Sequence, residues 1–337
     1  MKLGGSARTP QQLAWLALIT VYIAWGSTYV AIRLVDETVP PLIGAAMRFI
    51  CAGAAMYAFI GWRRARFPRM SFRELGSVAL VGILLLVGGN GLVTVAERHV
   101  PAGLTSLVIA SVPLWLLLLR SVSRERPARA TLAGVAVGFV GVALLVFRGG
   151  PGQGVSVAHL LIVLGAAASW ALGSWASSRL PMPEDVSIST AIEMLVAGAV
   201  LAGLGPVLGE HWSAIATHAS FKSLAAIGYL AVFGSILAFT AYVWLLQHVP
   251  LSRVGTYAYV NPVVAVVLGA ILLGEQVTVT TLIGGAVILG SVALVIRAEP
   301  PSHPDAIVDP EAAAAPGAAI EESAAGLGYA ACRQSEA

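Results

Sequence analysis

The second half of the chain repeats a stretch of the first half, and this duplication constrains the fold more than any other feature. Each copy carries one histidine and two prolines in the same register: His99, Pro101 and Pro113 in the first, His248, Pro250 and Pro262 in the second. After a one-residue slip, Glu125 and Gly134 match Glu275 and Gly284. Self-similarity of this kind indicates a duplicated domain.

Both copies consist of apolar segments long enough to cross a bilayer. Hydrophobic residues make up 58% of the chain and charged residues only 11%, whereas about a quarter of a soluble protein is charged. A hydrocarbon core needs roughly 20 apolar residues per helix. Ten spans are predicted, at about 13–33, 41–61, 74–96, 102–120, 130–148, 158–179, 187–208, 222–246, 252–273 and 278–297. The sequence therefore predicts an all-α integral membrane protein with ten transmembrane helices.

Five spans fall in each copy, and an odd number makes the second copy enter the membrane from the opposite face. This is the inverted-topology repeat that transporters use. The predicted domains are a cytoplasmic N-terminus at 1–12, repeats at 13–148 and 156–297, and a disordered cytoplasmic tail at 298–337, rich in proline, alanine and acidic residues. Arginines and lysines concentrate at the N-terminus and in the second and fourth loops, which predicts that both termini are cytoplasmic. This positive charge concerns topology and anionic lipid rather than nucleic acid.

Several kinds of chemistry are excluded by what the sequence lacks. Neither of its two lysines, Lys2 and Lys222, follows a glycine-rich phosphate loop, so the chain is not its own ATP-driven motor. No aspartate falls inside a predicted span, and no G-x-S-x-G nucleophile motif occurs. The two cysteines give no disulfide framework. We therefore expect neither an enzyme nor a bound metal or cofactor.

Aromatic side chains at matching depth in the two repeats are the first candidates for a binding cavity. Tyr22, Trp25 and Tyr29 form one stripe on the first span. In the sixth span, which corresponds to the first, Trp170 lies at the same depth and Ser174 follows one turn later. The alternative is that these side chains only pack against lipid or neighbouring helices.

Proline and polar side chains inside the fourth, ninth and third spans are further candidates. Pro113 and Pro262 each remove a helix hydrogen bond, which is tolerated where the backbone lines a cavity or is buried in protein. Their polar neighbours are Ser111, Tyr257 and Asn261. We expect a gating or binding role, against the alternative of a passive kink. Asn90 and Thr94 share one face of the glycine-rich third span, for substrate contact or for helix packing.

Two charged side chains lie inside predicted spans, Arg48 in the second and Glu193 in the seventh. Charges at membrane depth are costly and are functional candidates by default. Inverted topology places them at different depths, so a direct ion pair is not expected. Glu193 is a candidate for proton coupling; the alternative is a structural carboxyl bonded to neighbouring helices or reaching the interface.

Outside the spans, the repeated histidines and glutamates have a structural interpretation. His99 and His248 close matching spans beside a Val-Pro pair, which favours an interfacial position. Glu125 and Glu275 precede the last helix of their repeats, where a carboxylate stabilises a helix N-terminus.

Four segments resemble a known family when taken together. They are WGSTYVAIR at 25–33, AAMRF at 45–49, SVPLW at 111–115 and YVNPVVAVVLGAILLGE at 259–275. In this order they are similar to the EamA-domain branch of the drug/metabolite transporter superfamily, over about residues 13–297. The resemblance implies a ten-helix permease whose central cavity is lined by the first, third, fourth, sixth, eighth and ninth helices. Those helices carry Trp25, Asn90, Pro113, Trp170, Tyr242 and Pro262 here.

The resemblance also implies an inner-membrane exporter of amino acids, small metabolites or drugs. Together with the composition, it predicts a multi-pass secondary transporter that works by alternating access around an aromatic and polar cavity. Its expected partners are a small-molecule substrate and the lipid bilayer. Because the cavity carries few charges, a neutral, zwitterionic or aromatic solute fits better than a multiply charged one. The alternatives are an uncoupled facilitator or channel for small neutral solutes and a non-transporting membrane scaffold.

Overall fold

The computed structural model describes residues 10–63, 70–122, 129–149, 154–249, 254 and 256–298, and within these ranges it contains helices and no strand. Residues 299–337 of the predicted tail lie outside the described residues, as do Glu125, Pro250 and the first nine residues. The predictions that concern those positions remain predictions.

The helices of the first repeat are α1 to α6. They are α1 (Pro10–Asp36), α2 (Pro41–Arg63), α3 (Phe72–Gly82, continuing through the π-helical Ile83–Gly91 into Leu92–Glu97), α4 (Ala102–Ile109), α5 (Val112–Val122) and α6 (Arg129–Leu144, followed by the π-helical Leu145–Gly149).

The helices of the second repeat are α7 to α12. They are α7 (Val157–Ser177), α8 (Val186–Val207), the short α9 (Ser213–His218), α10 (Phe221–Tyr229, continuing through the π-helical Leu230–Leu237 into Ala238–His248), α11 (Tyr257–Leu273) and α12 (Val279–Ala298).

Seven helical segments of the described residues are long and apolar enough to cross a membrane. Three shorter apolar segments, Leu132–Arg148, Tyr257–Leu273 and Val279–Leu294, lie where the sequence predicts the fifth, ninth and tenth spans. The chain is therefore a multi-pass helical membrane protein. Ten crossings and the inverted arrangement of the repeats remain predictions.

Local sequence signals explain where several helices begin and end. Ser71 and Glu74 form a reciprocal capping box at the start of α3, and the Asp185 carboxylate accepts two backbone N–H bonds at the start of α8. Gly274 ends α11 in the left-handed conformation, with φ of 66°, which a residue with a Cβ rarely adopts. These caps satisfy backbone groups that the helices themselves leave unpaired.

The second helices of the two repeats, α2 and α8, pack closely together. A Cβ added at Gly53 would lie 3.0 Å from the Ala191 carbonyl oxygen, and one at Gly198 would lie 2.9 Å from the Ile50 backbone nitrogen. Glycine at both positions lets the two backbones approach at membrane depth. The last helices of the repeats, α6 and α12, also pack against each other.

The structure differs from the sequence expectation in the fourth span. The predicted single helix is interrupted at Ala110 and Ser111 and divides into α4 and α5. Pro113 is the second residue of α5, where a missing N–H is tolerated. Pro262, by contrast, is buried inside the continuous α11.

A second difference concerns the end of α1. The helix extends to Asp36, beyond the predicted boundary at residue 33, so one aspartate belongs to a candidate span. The expectation that no aspartate falls within a span is therefore wrong.

Candidate functional site

A cavity of about 70 Å³ lies between the two repeats. At about 15 Å³ per water it holds roughly five water molecules. Helices α1 to α5 of the first repeat and α7 and α11 of the second repeat contribute its walls. The lining residues are Trp25, Thr28, Tyr29, Ile32, Arg48, Gly89, Asn90, Val93, Ile109, Val112, Ala166, Trp170, Tyr257 and Asn261.

Five aromatic rings form a cluster along one side of this cavity: Trp25, Trp170, Phe239, Tyr242 and Tyr257. The Trp25 ring lies 4.8 Å from Tyr242, 5.4 Å from Tyr257 and 5.5 Å from Trp170, measured between centroids. Edge-to-face and tilted arrangements at these distances are favourable for aromatic pairs. The cluster joins α1, α7, α10 and α11, and so it connects the two repeats.

The π-helical stretches in α3 and α10 place backbone and polar groups at the site. The Trp25 indole N–H donates to the Gly234 carbonyl at 3.1 Å, within the π-helical part of α10. In α3, the corresponding π-helical stretch carries Gly89 and Asn90, which line the cavity. π-Helical turns recur at functional sites because they redirect side chains and free backbone groups. No sequence signal predicted them.

Arg48 is buried and lines the cavity. Its Nε donates to the Ser235 hydroxyl at 2.8 Å, and its Nη1 donates to the Asn90 side-chain oxygen at 3.5 Å, the limit of a hydrogen bond. The guanidinium also lies 4.9 Å from the centre of the Phe49 ring. Among the described residues no carboxylate forms an ion pair with it.

Of the candidates predicted from sequence, Trp25, Tyr29, Asn90, Trp170, Tyr257, Asn261 and Arg48 line the cavity. Tyr242 joins through the aromatic cluster. Phe239, which sequence reasoning missed, packs against Trp25 with ring centroids 6.5 Å apart. Its position could have been found by spacing, because it precedes Tyr242 by one helical turn on α10.

The other polar candidates do not line the cavity. The Tyr22 hydroxyl bonds to the Thr256 hydroxyl, which links α1 to the start of α11. Thr94 and Ser174 donate to backbone carbonyls one turn earlier in their own helices, at Asn90 and Trp170. Ser111 is fully buried, and its hydroxyl has no hydrogen-bond partner.

Glu193 is buried away from the cavity lining. It receives a hydrogen bond of 3.1 Å from Ser189, one turn earlier on α8. On its other side, Gly82 of α3 approaches so closely that an added Cβ would lie 2.9 Å from the Glu193 Cα. Its carboxyl therefore belongs to a helix interface.

The end of the bundle where α1 finishes is held by carboxylates that join the repeats; we call it the Asp36 end. Glu210 accepts backbone N–H bonds from Leu42 and Ile43 at 3.1 and 3.0 Å. Glu275 accepts them from Ala102 and Gly103 at 2.7 and 3.0 Å. Each carboxylate of the second repeat thus caps a helix of the first. The expectation that Glu275 stabilises the helix following it is therefore wrong; its partner is the N-terminus of α4.

Two buried acids at the same end were also missed from the sequence. The carboxylate oxygens of Asp36 and Glu97 are buried with no hydrogen-bond partner. The nearby Arg33 guanidinium donates to the Glu97 backbone carbonyl instead. Each acid lies one helical turn beyond a lining residue, Ile32 or Val93. No group of three or more metal-ligating side chains occurs in the part of the chain that is described.

The opposite end of the bundle carries a groove lined by described residues. A groove of about 940 Å³ lies there between the first turns of α1, the last turns of α2 and the second half of α10. Its walls are mostly apolar and include Leu13, Phe59, Ile236 and Trp244.

Comparison with known proteins identifies a family that matches this chain. The EamA-like transporter family model matches the chain twice, at residues 12–147 and 157–297. The Escherichia coli K12 protein named "Uncharacterized inner membrane transporter YedA" is 41% identical over 280 residues, covering 83% of this chain and 89% of that protein.

Two further relatives have names that state which compounds they export. The "Probable terminal-alkyne amino-acid exporter" of Streptantibioticus cattleyicolor is 29% identical, covering 84% of this chain and 93% of that protein. The "Probable amino-acid metabolite efflux pump" of Salmonella typhimurium is 27% identical, covering 82% and 91%.

A solved crystal structure with 23% sequence identity matches with a TM-score of 0.59, covering 83% of this chain and 95% of that one, which supports the fold alone. The double family match spans most of the sequence, and it confirms both the duplication and the resemblance. The chain belongs to the EamA-like transporter family.

Proposed function

We propose that the protein is a secondary transporter that exports small solutes across the inner membrane by alternating access. The observation that carries this proposal is a cavity between two repeats whose contacts at the Asp36 end include hydrogen bonds from helix N-termini to Glu210 and Glu275, which are able to separate. Alternating access needs a central site whose two ends open in turn.

The contrast between the two ends supports this mechanism. At the Asp36 end, Glu210 and Glu275 bridge the repeats with charge-assisted bonds to helix N-termini. At the other end a groove of about 940 Å³ lies between α1, α2 and α10. We assign this conformation to a state closed at the Asp36 end, for which the transport cycle requires those bridges to break.

The orientation follows from the arginines and lysines. With both termini in the cytoplasm, as their distribution predicts, the Asp36 end faces outward and the groove faces the cytoplasm. An exported solute then enters from the groove side and leaves when the carboxylate bridges open. Ten crossings in two inverted halves belong to the same proposal.

The substrate class rests on the named relatives and on the lining. Two relatives carry names that refer to amino acids or their metabolites. The cavity offers aromatic faces together with the amides of Asn90 and Asn261. We assign amino acids, small metabolites or drugs of modest size, because 70 Å³ accommodates only a small solute before the helices move apart.

The test is counterflow in liposomes containing the purified full-length protein. Liposomes are loaded with one member of a panel of unlabelled amino acids or small aromatic drugs, and entry of labelled solute is followed with and without a pH gradient. Protein-free liposomes and a folded Trp25→Ala variant are the controls. Uptake that depends on the loaded solute, and accumulation under an ion gradient, are expected.

Two results would overturn the proposal. Flux that equilibrates but never accumulates solute under any imposed ion gradient would establish a facilitator or channel. No flux for any member of the panel, with protein that melts cooperatively, would instead favour a membrane scaffold.

A further inference from the structure

The central cavity contains a positive charge that the protein leaves without a counter-ion. Arg48 lines the cavity, and the residue is 5% exposed. A guanidinium has five N–H donors, and Arg48 engages two of them, with Ser235 and with Asn90. Three donors have no protein partner in the described ranges.

Such an arrangement is costly unless something supplies the missing acceptor. A buried charge is stabilised only when it is paired and its hydrogen bonds are satisfied. None of the lining residues is acidic. Two buried acids on the lining helices, Asp36 and Glu97, lie one turn beyond Ile32 and Val93, outside the lining. Water in the cavity can accept hydrogen bonds from the free N–H groups, but it supplies no negative charge, so the counter-charge for Arg48 has to come from a solute.

The chemistry of the free donors selects among possible solutes. The planar fork of a guanidinium matches the two oxygens of a carboxylate, with two parallel N–H···O bonds. The bond to Ser235 fixes Nε, and the contact with Phe49 positions the guanidinium plane. The remaining Nη groups are thus the ones available to a solute.

A second polar group in the same cavity also lacks a partner. The Asn261 side-chain oxygen is buried and accepts no hydrogen bond. It can accept one from an ammonium group, and the faces of Trp25 and Tyr257 attract a cation. The rest of the lining is largely apolar, which suits an uncharged side chain.

We propose that Arg48 is an anion-binding residue and that the cavity requires a solute with a free carboxylate. The carboxylate binds the Nη groups of Arg48, and Asn261 accepts a bond from the ammonium of a zwitterionic solute. This inference rests on the proposed transport function, because it names the recognition chemistry of the same cavity.

The decisive experiment changes the solute rather than the protein. Binding to full-length protein in lipid nanodiscs is measured by titration for L-alanine, L-leucine, L-methionine and L-phenylalanine. Each acid is compared with its methyl ester and with the amine that lacks the carboxylate. At least one free acid is expected to bind roughly 10- to 100-fold more tightly than its ester and amine, as for loss of a charged hydrogen-bonded pair.

Variants then locate the effect. Arg48→Gln removes the charge, and we expect it to abolish the preference for the free acid, while Arg48→Lys retains part of it. Arg33→Gln is the matched control, because Arg33 lies at the Asp36 end outside the cavity lining and should leave the preference unchanged.

The inference is overturned if no free acid binds, if esters bind as tightly as acids, or if Arg48→Gln keeps the wild-type preference. These failures are distinguishable from failure of the proposed function. Counterflow of a cationic or neutral drug by the same preparation would leave the transporter assignment intact while removing the carboxylate requirement.

Discussion

Arg48 and Glu193 occupy comparable places in the two repeats but have different surroundings. Each lies five residues before the glycine, Gly53 or Gly198, at which α2 and α8 pack closely. Arg48 reaches across to Ser235 on α10 and lines the cavity. Glu193 receives its hydrogen bond from its own helix and is enclosed between α8 and α3.

The difference shows that matching positions in the two repeats do not make the same contacts. The long arginine side chain extends beyond its helix interface, whereas the shorter glutamate does not. The neighbouring backbone also differs. Gly234 leaves room for the Arg48 guanidinium, whereas Gly82 brings the α3 backbone against Glu193. We therefore expect substitutions at the two positions to affect different properties.

The largest effect is expected from removing the charge at Arg48. Arg48→Gln should lower the initial rate of counterflow for a transported amino acid by at least roughly tenfold, as for truncation of a buried charged partner. Arg48→Lys should recover part of the rate, because the charge remains while the bidentate geometry is lost. Both variants are first checked for cooperative melting. A rate within twofold of wild type for Arg48→Gln would remove Arg48 from the site.

The next largest effect is expected on thermal stability, from removing the charge of Glu275, whose carboxylate joins the two repeats. In Glu275→Gln, the side-chain oxygen can satisfy only one of the two N–H groups of Ala102 and Gly103 and carries no charge. Loss of a charge-assisted bond costs about 1.5–3 kcal/mol, so the melting temperature should fall by several degrees. Glu74→Gln is the control, because Glu74 caps only its own exposed helix. Equal melting of both variants would show that the Glu275 bridge contributes nothing specific.

Much of the fold was predictable from the sequence, and the reasons are physical. The membrane spans can be predicted from the length and composition of the apolar segments. The duplication can be predicted because prolines and glutamates recur at matching positions in the two halves. Trp25 and Trp170 could be proposed for the cavity because they are aromatics at matching depth in the two repeats, and Tyr257 because it lies near the proline Pro262 inside a span.

The rest depends on contacts between residues far apart in sequence. The π-helical stretches in α3 and α10 carry no distinctive residue pattern, so a sequence alone gives regular helices there. The partner of Glu275 is 172 residues away at Gly103, and only the packed fold brings them together. The break before Pro113 distinguishes two prolines that look equivalent in the aligned copies.

Substitution of Glu193 is expected to change transport less than substitution of Arg48, and this contrast distinguishes the two intramembrane charges most clearly. Glutamine is nearly isosteric with glutamate and can accept the same bond from Ser189. Because the carboxyl lies outside the cavity lining, Glu193→Gln should leave both the transport rate and its pH dependence close to wild type. Initial rates measured from about pH 5 to about pH 8 test this, since the reference pKa of histidine lies inside that range and those of aspartate and glutamate lie just below it. A flattened profile would instead assign proton coupling to Glu193.

The smallest effect is expected on the pH dependence of the melting temperature, from His99 and His248, which align between the two copies. His99 stacks on His159 with ring centroids 4.2 Å apart, whereas His248 stacks on Trp244 at 4.4 Å. Partial desolvation of the His99 ring and the neighbouring His159 lower the pKa of His99. Acid conditions therefore protonate His99 more readily in the unfolded chain than in the folded protein, and its contribution to stability is lost as the pH falls.

We expect His99→Phe to reduce the fall in melting temperature between about pH 8 and about pH 5, a range that includes the ordinary histidine pKa. His248→Phe is the matched control, because it removes the aligned histidine, whose stacking partner Trp244 carries no charge. If both variants respond to acid alike, the His99–His159 pair does not differ from its counterpart. A smaller acid-induced fall in melting temperature for His99→Phe alone would show the same difference at the surface of the bundle. There too, two aligned residues, His99 and His248, would differ in their properties because their neighbours differ.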